Sequence, residues 1–178
     1  MHSPVTDHPP RASCCQSPRQ KRNWTMTQRL DQFAAAGDLF KPMMQQEELL
    51  KTSGLEFSLI ELVKLRASQI NACAFCIHMH THDARNAGES EDRMHLLPAW
   101  RESTLYTPRE RAALAWTEAL TLVADTAAPD ADYELVAKAF SPREQVALTL
   151  LIGAINAWNR IAIGFRTPHP AAKEASAA

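Results

Sequence analysis

The spacing of apolar residues restricts the fold of this 178-residue chain more than any other feature of its sequence. Between the two terminal segments, apolar residues recur at intervals of three or four, and no alternating apolar and polar pattern lasts beyond a few residues. Such intervals place apolar side chains on one face of a helix, whereas a strand requires an interval of two. The sequence therefore predicts an all-α domain.

Two of the predicted helices begin with the same four-residue pattern. TPRE at residues 107–110 and SPRE at residues 141–144 each place a hydroxyl cap before a proline, and a glutamate three residues after that cap. This capping box satisfies free amide groups in the first helical turn. It predicts helices that continue to residues 126 and 165, with a further helix over residues 129–140.

Four more helical segments are predicted upstream of these two. Their apolar residues lie three or four positions apart, and proline, glycine or a capping side chain marks their ends. The segments are residues 28–51, interrupted near Gly37 and Pro42; residues 55–69; residues 72–86, with Asn71 as the N-cap and Gly88 as a stop signal; and residues 91–100, ending near Pro98.

Both ends of the chain differ in composition from the helical part. Residues 1–25 mix Pro, Ser, Arg and His without the apolar run of a signal peptide, and Met26 opens the first helical sequence. We therefore expect residues 1–25 to be a disordered extension or the product of a mis-assigned start codon, and the protein to be cytoplasmic. The folded domain is predicted over residues 26–166, and residues 167–178 are predicted to form a flexible tail.

The charge balance argues against two classes of partner. With 19 lysines and arginines against 20 aspartates and glutamates, the chain lacks the basic excess that binds nucleic acid or an anionic membrane. The last helix is apolar enough to be compared with a membrane span, but Asn156, Asn159, Arg160 and two glycines interrupt it. We expect a core or subunit-interface helix, and no membrane or nucleic-acid partner.

The cysteines form two close pairs, which is too few for a disulfide scaffold. They are Cys14, Cys15, Cys73 and Cys76. The second pair lies in INACAFCIHMH, residues 70–80, and at about 100° per residue Cys73, Cys76 and His80 fall on one helix face. The two histidines on the opposite face are His78 and His82, and both are expected to be solvated. Two thiols and one imidazole on a shared face form a candidate site.

Several kinds of site can use two cysteines and a histidine. A c-type haem requires histidine directly after the second cysteine, where this chain has Ile77, and no βαβ pattern supports a thioredoxin fold. Structural zinc requires four ligands, so His95, Cys14 or a neighbouring subunit would have to complete the set. The cysteines could also be ordinary core residues. A redox dithiol is favoured, because a first helical turn stabilises a thiolate and cysteines at this spacing can approach disulfide distance.

The spacing extends to a carboxylate in the preceding helix. Eleven residues separate Glu61 from Cys73, two separate Cys73 from Cys76, and three separate Cys76 from His80. This pattern resembles the signature of the alkylhydroperoxidase D-like branch of the carboxymuconolactone decarboxylase family. The segments LVKLRASQINACAFCIHMHTHDAR, TPRERAALAWTEALT and LIGAINAWNRIA resemble that family's core, so the similarity spans roughly residues 30–166. Ala72 is a departure, because many members have glycine there, and we expect it to narrow access to the thiols.

The resemblance implies an all-helical peroxidase or disulfide reductase that assembles as a homotrimer or homohexamer. It implies a hydroperoxide substrate and an external dithiol reductant, which in the family can be of the lipoyl type. It assigns Cys76 as the peroxidatic thiol, Cys73 as the resolving thiol of a redox disulfide, and Glu61 and His80 as the proton relay. Neither a cofactor nor a metal is expected.

Alternatives stay open at the level of sequence. Glu61 could form an ordinary exposed ion pair with Lys64. The protein could also be a non-enzymatic helical oligomer that binds zinc or senses oxidants. The ring-opening decarboxylation that gives the wider family its name does not require a redox pair, so the dithiol argues against it.

Four further residues lie on apolar helices and carry polar atoms. Trp116 and Trp158 are expected to pack in the core or at a subunit interface rather than to contact a ligand. Asn156 and Asn159 either form hydrogen bonds between helices or line the pocket, and the sequence does not choose between these roles.

Overall fold

A computed structural model gives the arrangement of residues 27–170, and these described residues contain nine α-helices, two short 3₁₀ helices and no strand. The all-α prediction is confirmed. The α-helices are α1 (Gln32–Ala36), α2 (Lys41–Lys51), α3 (Phe57–Ile70), α4 (Ala74–Asn86), α5 (Glu91–Leu96), α6 (Pro108–Thr121), α7 (Val123–Thr126), α8 (Asp130–Ala139) and α9 (Pro142–Phe165). The 3₁₀ helices are Gly37–Phe40 and Leu97–Ala99.

Some of the sequence predictions fall outside the described residues. These are the extension over residues 1–25, the start at Met26, the first cysteine pair, and residues 171–178 of the predicted tail. The described part of that tail keeps contact with the domain. Thr167 donates its amide to the carbonyl of Ala162 at 2.9 Å, and its hydroxyl oxygen accepts a hydrogen bond from the side chain of Gln32 at 3.1 Å.

Both capping boxes are present. At the start of α6, the Glu110 amide donates to the Thr107 hydroxyl at 3.2 Å, and the Thr107 amide donates to the Glu110 carboxylate at 2.7 Å. The corresponding bonds at the start of α9 join Ser141 and Glu144. These bonds are local in sequence, so four consecutive residues are enough to fix where each helix begins.

The end of one helix differs from the prediction. The helix expected to continue to residue 126 ends at Thr121, because the backbone leaves helical geometry at Leu122, and Val123–Thr126 forms a separate turn. Leu122 and Val123 extend the apolar spacing in the sequence, yet both are exposed, so core packing does not hold them in the helix.

The interruption expected near Gly37 and Pro42 is present. Helix α1 ends at Ala36, and α2 begins at Lys41 with Pro42 in its first turn.

Helix α3 lies at the centre of the domain and packs against α4, α6 and α9. Its side chains contribute to two core clusters, one shared with α6, α8 and α9 and one shared with α4, α5 and α6. Apolar residues are therefore needed nearly all around α3. Its most deeply buried side chains are Leu59, Ile60, Leu62, Val63 and Leu65.

In the part of the chain that the structure describes, α9 is the one helix with the length and composition of a membrane span. Its most apolar stretch of 18 residues has a mean hydropathy of 1.5, and half of that stretch is buried inside the domain. Leu148 and Leu151 are fully buried in the core cluster that α9 shares with α3 and α6. Packing within the domain accounts for the apolar residues of the buried face of α9, whereas Val146, Leu150 and Ile163 are exposed.

The capping box of α9 makes a pH-dependent contribution to stability. Hydrogen bonds from the Ser141 side chain and backbone, with a further one from Arg109, lower the pKa of Glu144 from its ordinary 4.5 to about 2. A lowered pKa means that the carboxylate stabilises the folded protein above pH 4.5, and that this contribution is lost as the pH falls toward 2.

We expect Glu144→Gln to lower the free energy of unfolding at pH 7 by about 1 kcal/mol, as is typical for the loss of a helix cap. The difference from wild type should shrink between pH 4.5 and pH 2, measured by urea unfolding followed by far-UV circular dichroism. The control is Glu134→Gln, at an exposed glutamate of α8. A difference that is the same at pH 7 and pH 2.5 would contradict the assignment.

Candidate functional site

Helices α3 and α4 are joined by a turn of only three residues. The amide of Cys73 donates to the carbonyl of Ser68 at 3.0 Å, and the amide of Ala72 donates to the carbonyl of Gln69 at 3.1 Å. This pair of bonds is a Schellman motif, which closes a helix with one residue in the left-handed conformation. Ala72 is that residue, with φ of 55°. A glycine at this position would adopt this conformation without the steric cost of a Cβ atom.

Cys73, and not Asn71, is the N-cap of α4. The prediction of Asn71 as the cap was wrong, because Asn71 is the C-cap of α3 and the turn needs two more residues before the next helix starts. The Cys73 sulfur accepts a hydrogen bond from the amide of Cys76 at 3.4 Å. The first cysteine thus belongs to the end of one helix and to the start of the next.

The two cysteines form a disulfide across the first turn of α4. The Cα atoms of Cys73 and Cys76 are 5.4 Å apart, and both residues are buried. They pack with Ala162 of α9 and with the partly buried Phe75. With the two sulfurs bonded to each other, they cannot act as thiolate ligands, so the zinc set of Cys73, Cys76 and His80 does not form in this state.

Glu61 and His80 form a buried hydrogen-bonded pair. The Nδ1 atom of His80 lies 2.8 Å from a carboxylate oxygen of Glu61, and the two residues are 4% and 3% exposed. A carboxylate only accepts, so Nδ1 carries the proton and donates. The second nitrogen, Nε2, is buried without a partner among the described residues, and in the neutral imidazole it has a free lone pair. The alternative of an exposed pair between Glu61 and Lys64 is wrong, because Lys64 binds Glu47 instead.

The other histidines of this region lie away from the pair. His82 is exposed, with Nδ1 3.5 Å from a carboxylate oxygen of Asp83, as expected for the opposite helix face. His78 was expected to be solvated, but it is partly buried and stacks on His169 with ring centroids 5.7 Å apart. His95 is exposed on α5. A further set of metal-ligand atoms, from Glu61, His80 and Asp83, lies within 4.8 Å of one another.

A cavity of about 550 Å³ adjoins this site, and we call it the cysteine cavity. Cys76, Glu61 and His80 all contribute to its lining, which is largely apolar. The principal apolar lining residues are Phe33, Phe57, Phe75, Met79, Ile155 and Trp158. The structure therefore brings together one cysteine, the buried acid and the buried imidazole at a single apolar cavity.

Trp158 does more than pack, and its position was missed at the level of sequence. Its ring stacks on Phe40 with centroids 5.8 Å apart, and its Nε1 donates to Glu47 at 3.1 Å at the edge of the cysteine cavity. Trp116 is buried in the core, as expected, and donates to Thr149. Lys64 lies within the apolar sequence of α3, and this is a weak sequence signal for the cavity. Nothing in the polar sequence of α2 indicates that Glu47 lines it.

Three asparagines connect the turn between α3 and α4 to α9. The Asn71 side-chain amide donates to the carboxamide oxygens of Asn156 and Asn159, each at 2.9 Å. Asn159, which is fully buried, donates in turn to the hydroxyl of Ser68 at 3.0 Å. Ser68 also provides the carbonyl that holds the Cys73 amide. Asn156 and Asn159 thus bond between helices and support the backbone of the first cysteine.

The chain is similar in sequence to members of a known family. The sequence model of the carboxymuconolactone decarboxylase family matches residues 37–119. The chain is 44% identical over 138 residues to the uncharacterized protein YdfG of Bacillus subtilis (strain 168), covering 78% of this chain and 94% of that protein.

Two solved structures share the fold. One is a protein of unknown function from Agrobacterium tumefaciens, provisionally described as the antioxidant defence protein AhpD. It is 48% identical with a TM-score of 0.79, covering 81% of this chain and 99% of that one. The other, an uncharacterized peroxidase-related protein from Ralstonia eutropha JMP134 with an AhpD core, is 18% identical with a TM-score of 0.68, covering 77% and 73%. At that identity the second likeness concerns the fold alone.

The fold and the site therefore define an all-α protein of the alkylhydroperoxidase D-like class. The chain belongs to the carboxymuconolactone decarboxylase family, and within it to the AhpD-like branch. The resemblance inferred from the Glu, Cys, Cys and His spacing is confirmed at this level.

We expect Asn71→Ala to lower the free energy of unfolding by roughly 2 kcal/mol, because it removes two hydrogen bonds at a buried network. Chemical denaturation followed by far-UV circular dichroism measures this. The matched control is Asn86→Ala at the exposed end of α4, expected to change stability by less than about 0.5 kcal/mol. Equal losses in the two variants would contradict a supporting role for Asn71.

Proposed function

We propose that this protein is a thiol-dependent peroxidase that reduces hydroperoxides through a dithiol/disulfide cycle of Cys73 and Cys76, with Glu61 and His80 as the proton relay. The observation that carries the proposal is that Cys76, Glu61 and His80 line one apolar cavity. The disulfide between Cys73 and Cys76 corresponds to the oxidised state of this cycle.

The position of Cys76 supports its role as the peroxidatic thiol. Both cysteines are buried, but Cys76 belongs to the lining of the cysteine cavity, whereas Cys73 caps α4 and does not line it. A hydroperoxide that enters the cavity meets the second cysteine first. The helix dipole at the start of α4 favours the thiolate form of either sulfur, so access rather than the dipole distinguishes them.

The relay follows from the hydrogen bond between Glu61 and His80. His80 Nε2 takes the proton of the Cys76 thiol, directly or through a water molecule, and Nδ1 keeps its hydrogen bond to Glu61. The carboxylate of Glu61 stabilises the imidazolium that results, as an acid orients and stabilises the base in other relays.

The first step reduces the peroxide. The Cys76 thiolate attacks the distal oxygen of the hydroperoxide, an S–O bond forms and the O–O bond breaks. The alkoxide takes the proton from His80 and leaves as an alcohol. Cys76 is now a sulfenic acid, oxidised by the two electrons that reduced the peroxide.

The second step forms the disulfide. The sulfur of Cys73 attacks the sulfur of Cys76, and the hydroxide leaves as water with the proton of the Cys73 thiol. An external dithiol then reduces the disulfide by two exchange reactions and is itself oxidised to a disulfide.

Assembly, reductant and location belong to the same proposal. A homotrimer or homohexamer would cover the apolar side chains around the cavity, since Phe33, Phe57 and Met79 are all exposed in the single chain. A lipoyl-type dithiol is the class of reductant that the family resemblance implies. A reducing cytoplasm would supply that dithiol and keep the cycle running.

Exchange of each cysteine tests the cycle. In a background of Cys14→Ser and Cys15→Ser, Cys76→Ser should abolish hydroperoxide turnover because the attacking sulfur is gone. Cys73→Ser should consume one equivalent and stop as a sulfenic acid, detected by mass spectrometry after dimedone labelling. Equal residual turnover in the two variants, or stoichiometric zinc in the reduced wild-type protein, would contradict the proposal and favour the zinc-binding or oxidant-sensing alternative.

Removal of the charge of Glu61 tests the relay. Glu61→Gln keeps an acceptor for His80 but no longer stabilises an imidazolium, so kcat/KM for hydroperoxide should fall about 100-fold. The pH dependence of kcat/KM should change with it, measured with a dithiol as reductant. The control Glu91→Gln, at an exposed glutamate of α5, should stay within about threefold of wild type. The relay is ruled out if Glu61→Gln and Glu91→Gln behave alike.

A further inference from the structure

An ion pair with no part in the proposed chemistry lies in the wall of the cysteine cavity. The Nζ atom of Lys64 on α3 is 2.5 Å from a carboxylate oxygen of Glu47 on α2. The Lys64 side chain is 8% exposed and that of Glu47 is 18% exposed. The other oxygen of Glu47 accepts a hydrogen bond from Trp158. A buried ammonium is costly without a partner, and Glu47 already supplies the carboxylate that neutralises Lys64.

Carboxylates outnumber ammonium groups in the cavity lining. The charged lining residues are the acids Glu47, Glu61 and Asp83 and the bases Lys51 and Lys64. Lys51 is itself paired, with Glu48 at 2.7 Å. Its hydrogen bond to Glu48 raises the pKa of Lys51, and the charges of Glu47 and Glu61 raise it further. An anion that entered the cavity would therefore meet paired bases and an excess of negative charge.

Two buried polar atoms of the lining have no partner among the described residues. They are the side-chain oxygen of Gln32 and Nε2 of His80, in residues that are 6% and 4% exposed. Both atoms accept hydrogen bonds, the second because Nδ1 of His80 carries the ring proton. A neutral ligand with an O–H group can donate to either atom, whereas a carboxylate has no proton to donate.

We propose that Glu47 is a specificity-determining residue that keeps Lys64 neutralised and thereby restricts the cysteine cavity to neutral, apolar ligands that carry a hydrogen-bond donor. Because it names the substrate class of the proposed peroxidase, this inference rests on that function. Neutral hydroperoxides fit the cavity, since their apolar part contacts the aromatic wall and their O–H group reaches an acceptor. Hydroperoxides that carry a carboxylate are excluded.

The test compares two ligands with the same chain length, 1-octanol and octanoate, by isothermal titration calorimetry on the full-length oxidised protein. Wild type should bind 1-octanol at least about 10-fold more tightly than octanoate. Glu47→Gln should raise the affinity for octanoate at least about 10-fold, because it frees Lys64 to pair with the ligand, and change the affinity for 1-octanol less than about threefold. The matched control is Glu134→Gln, which removes a charge from an exposed glutamate of α8 outside the cavity lining and should alter neither affinity.

Three results overturn the inference. They are equal wild-type affinities for the two ligands, an octanoate gain that is as large in Glu134→Gln as in Glu47→Gln, and a gain that persists in the double variant Glu47→Gln with Lys64→Met. The wild-type comparison decides the matter even if Glu47→Gln does not fold. Binding is measured without peroxide, so failure of the charge selectivity and failure of the peroxidase proposal are separate outcomes.

Discussion

The turn of three residues between α3 and α4 is the constraint on which the rest of the site depends. It is short because one residue, Cys73, serves both helices: its amide closes α3 at Ser68, and its sulfur caps α4 at Cys76. A turn of this length places α4 directly against α3, which makes the close approach of Glu61 and His80 possible. A longer or shorter turn would move Glu61 away from His80. It would also break the hydrogen bonds that hold the amide and the sulfur of Cys73.

Hydrogen bonds to its amide and to its carbonyl fix the backbone of Cys73, and this limits how the disulfide can open. The Cys73 amide and carbonyl both take part in helical hydrogen bonds, and the asparagines of the turn hold Ser68 in place. Opening or closing the disulfide therefore requires rotation of side chains rather than movement of the chain. Held at this separation, the two thiols have a high effective concentration, and bond formation meets a small entropic cost.

Local interactions explain why much of this arrangement follows from sequence. The capping boxes at Thr107 and Ser141 involve four residues each, and the shared face of Cys73, Cys76 and His80 follows from the helical repeat alone. The cap of α4 was assigned wrongly because the Schellman motif depends on the left-handed conformation of Ala72. Residue propensities do not predict a left-handed conformation at Ala72, since alanine seldom adopts it.

The contacts that shape the cavity are separated widely in sequence, and for that reason they were not predicted. Glu47 is 17 residues from Lys64 and 111 from Trp158, so neither periodicity nor spacing connects them. Their effect on the site is nevertheless direct. Lys64 on α3 is neutralised by Glu47, whereas Glu61 on the same helix is hydrogen-bonded to Nδ1 of His80, which leaves Nε2 of the neutral imidazole as an acceptor in the lining that also contains Cys76. Glu61 thus has two effects in the lining: it adds to the excess of negative charge, and its hydrogen bond to Nδ1 orients the imidazole that we propose as the base.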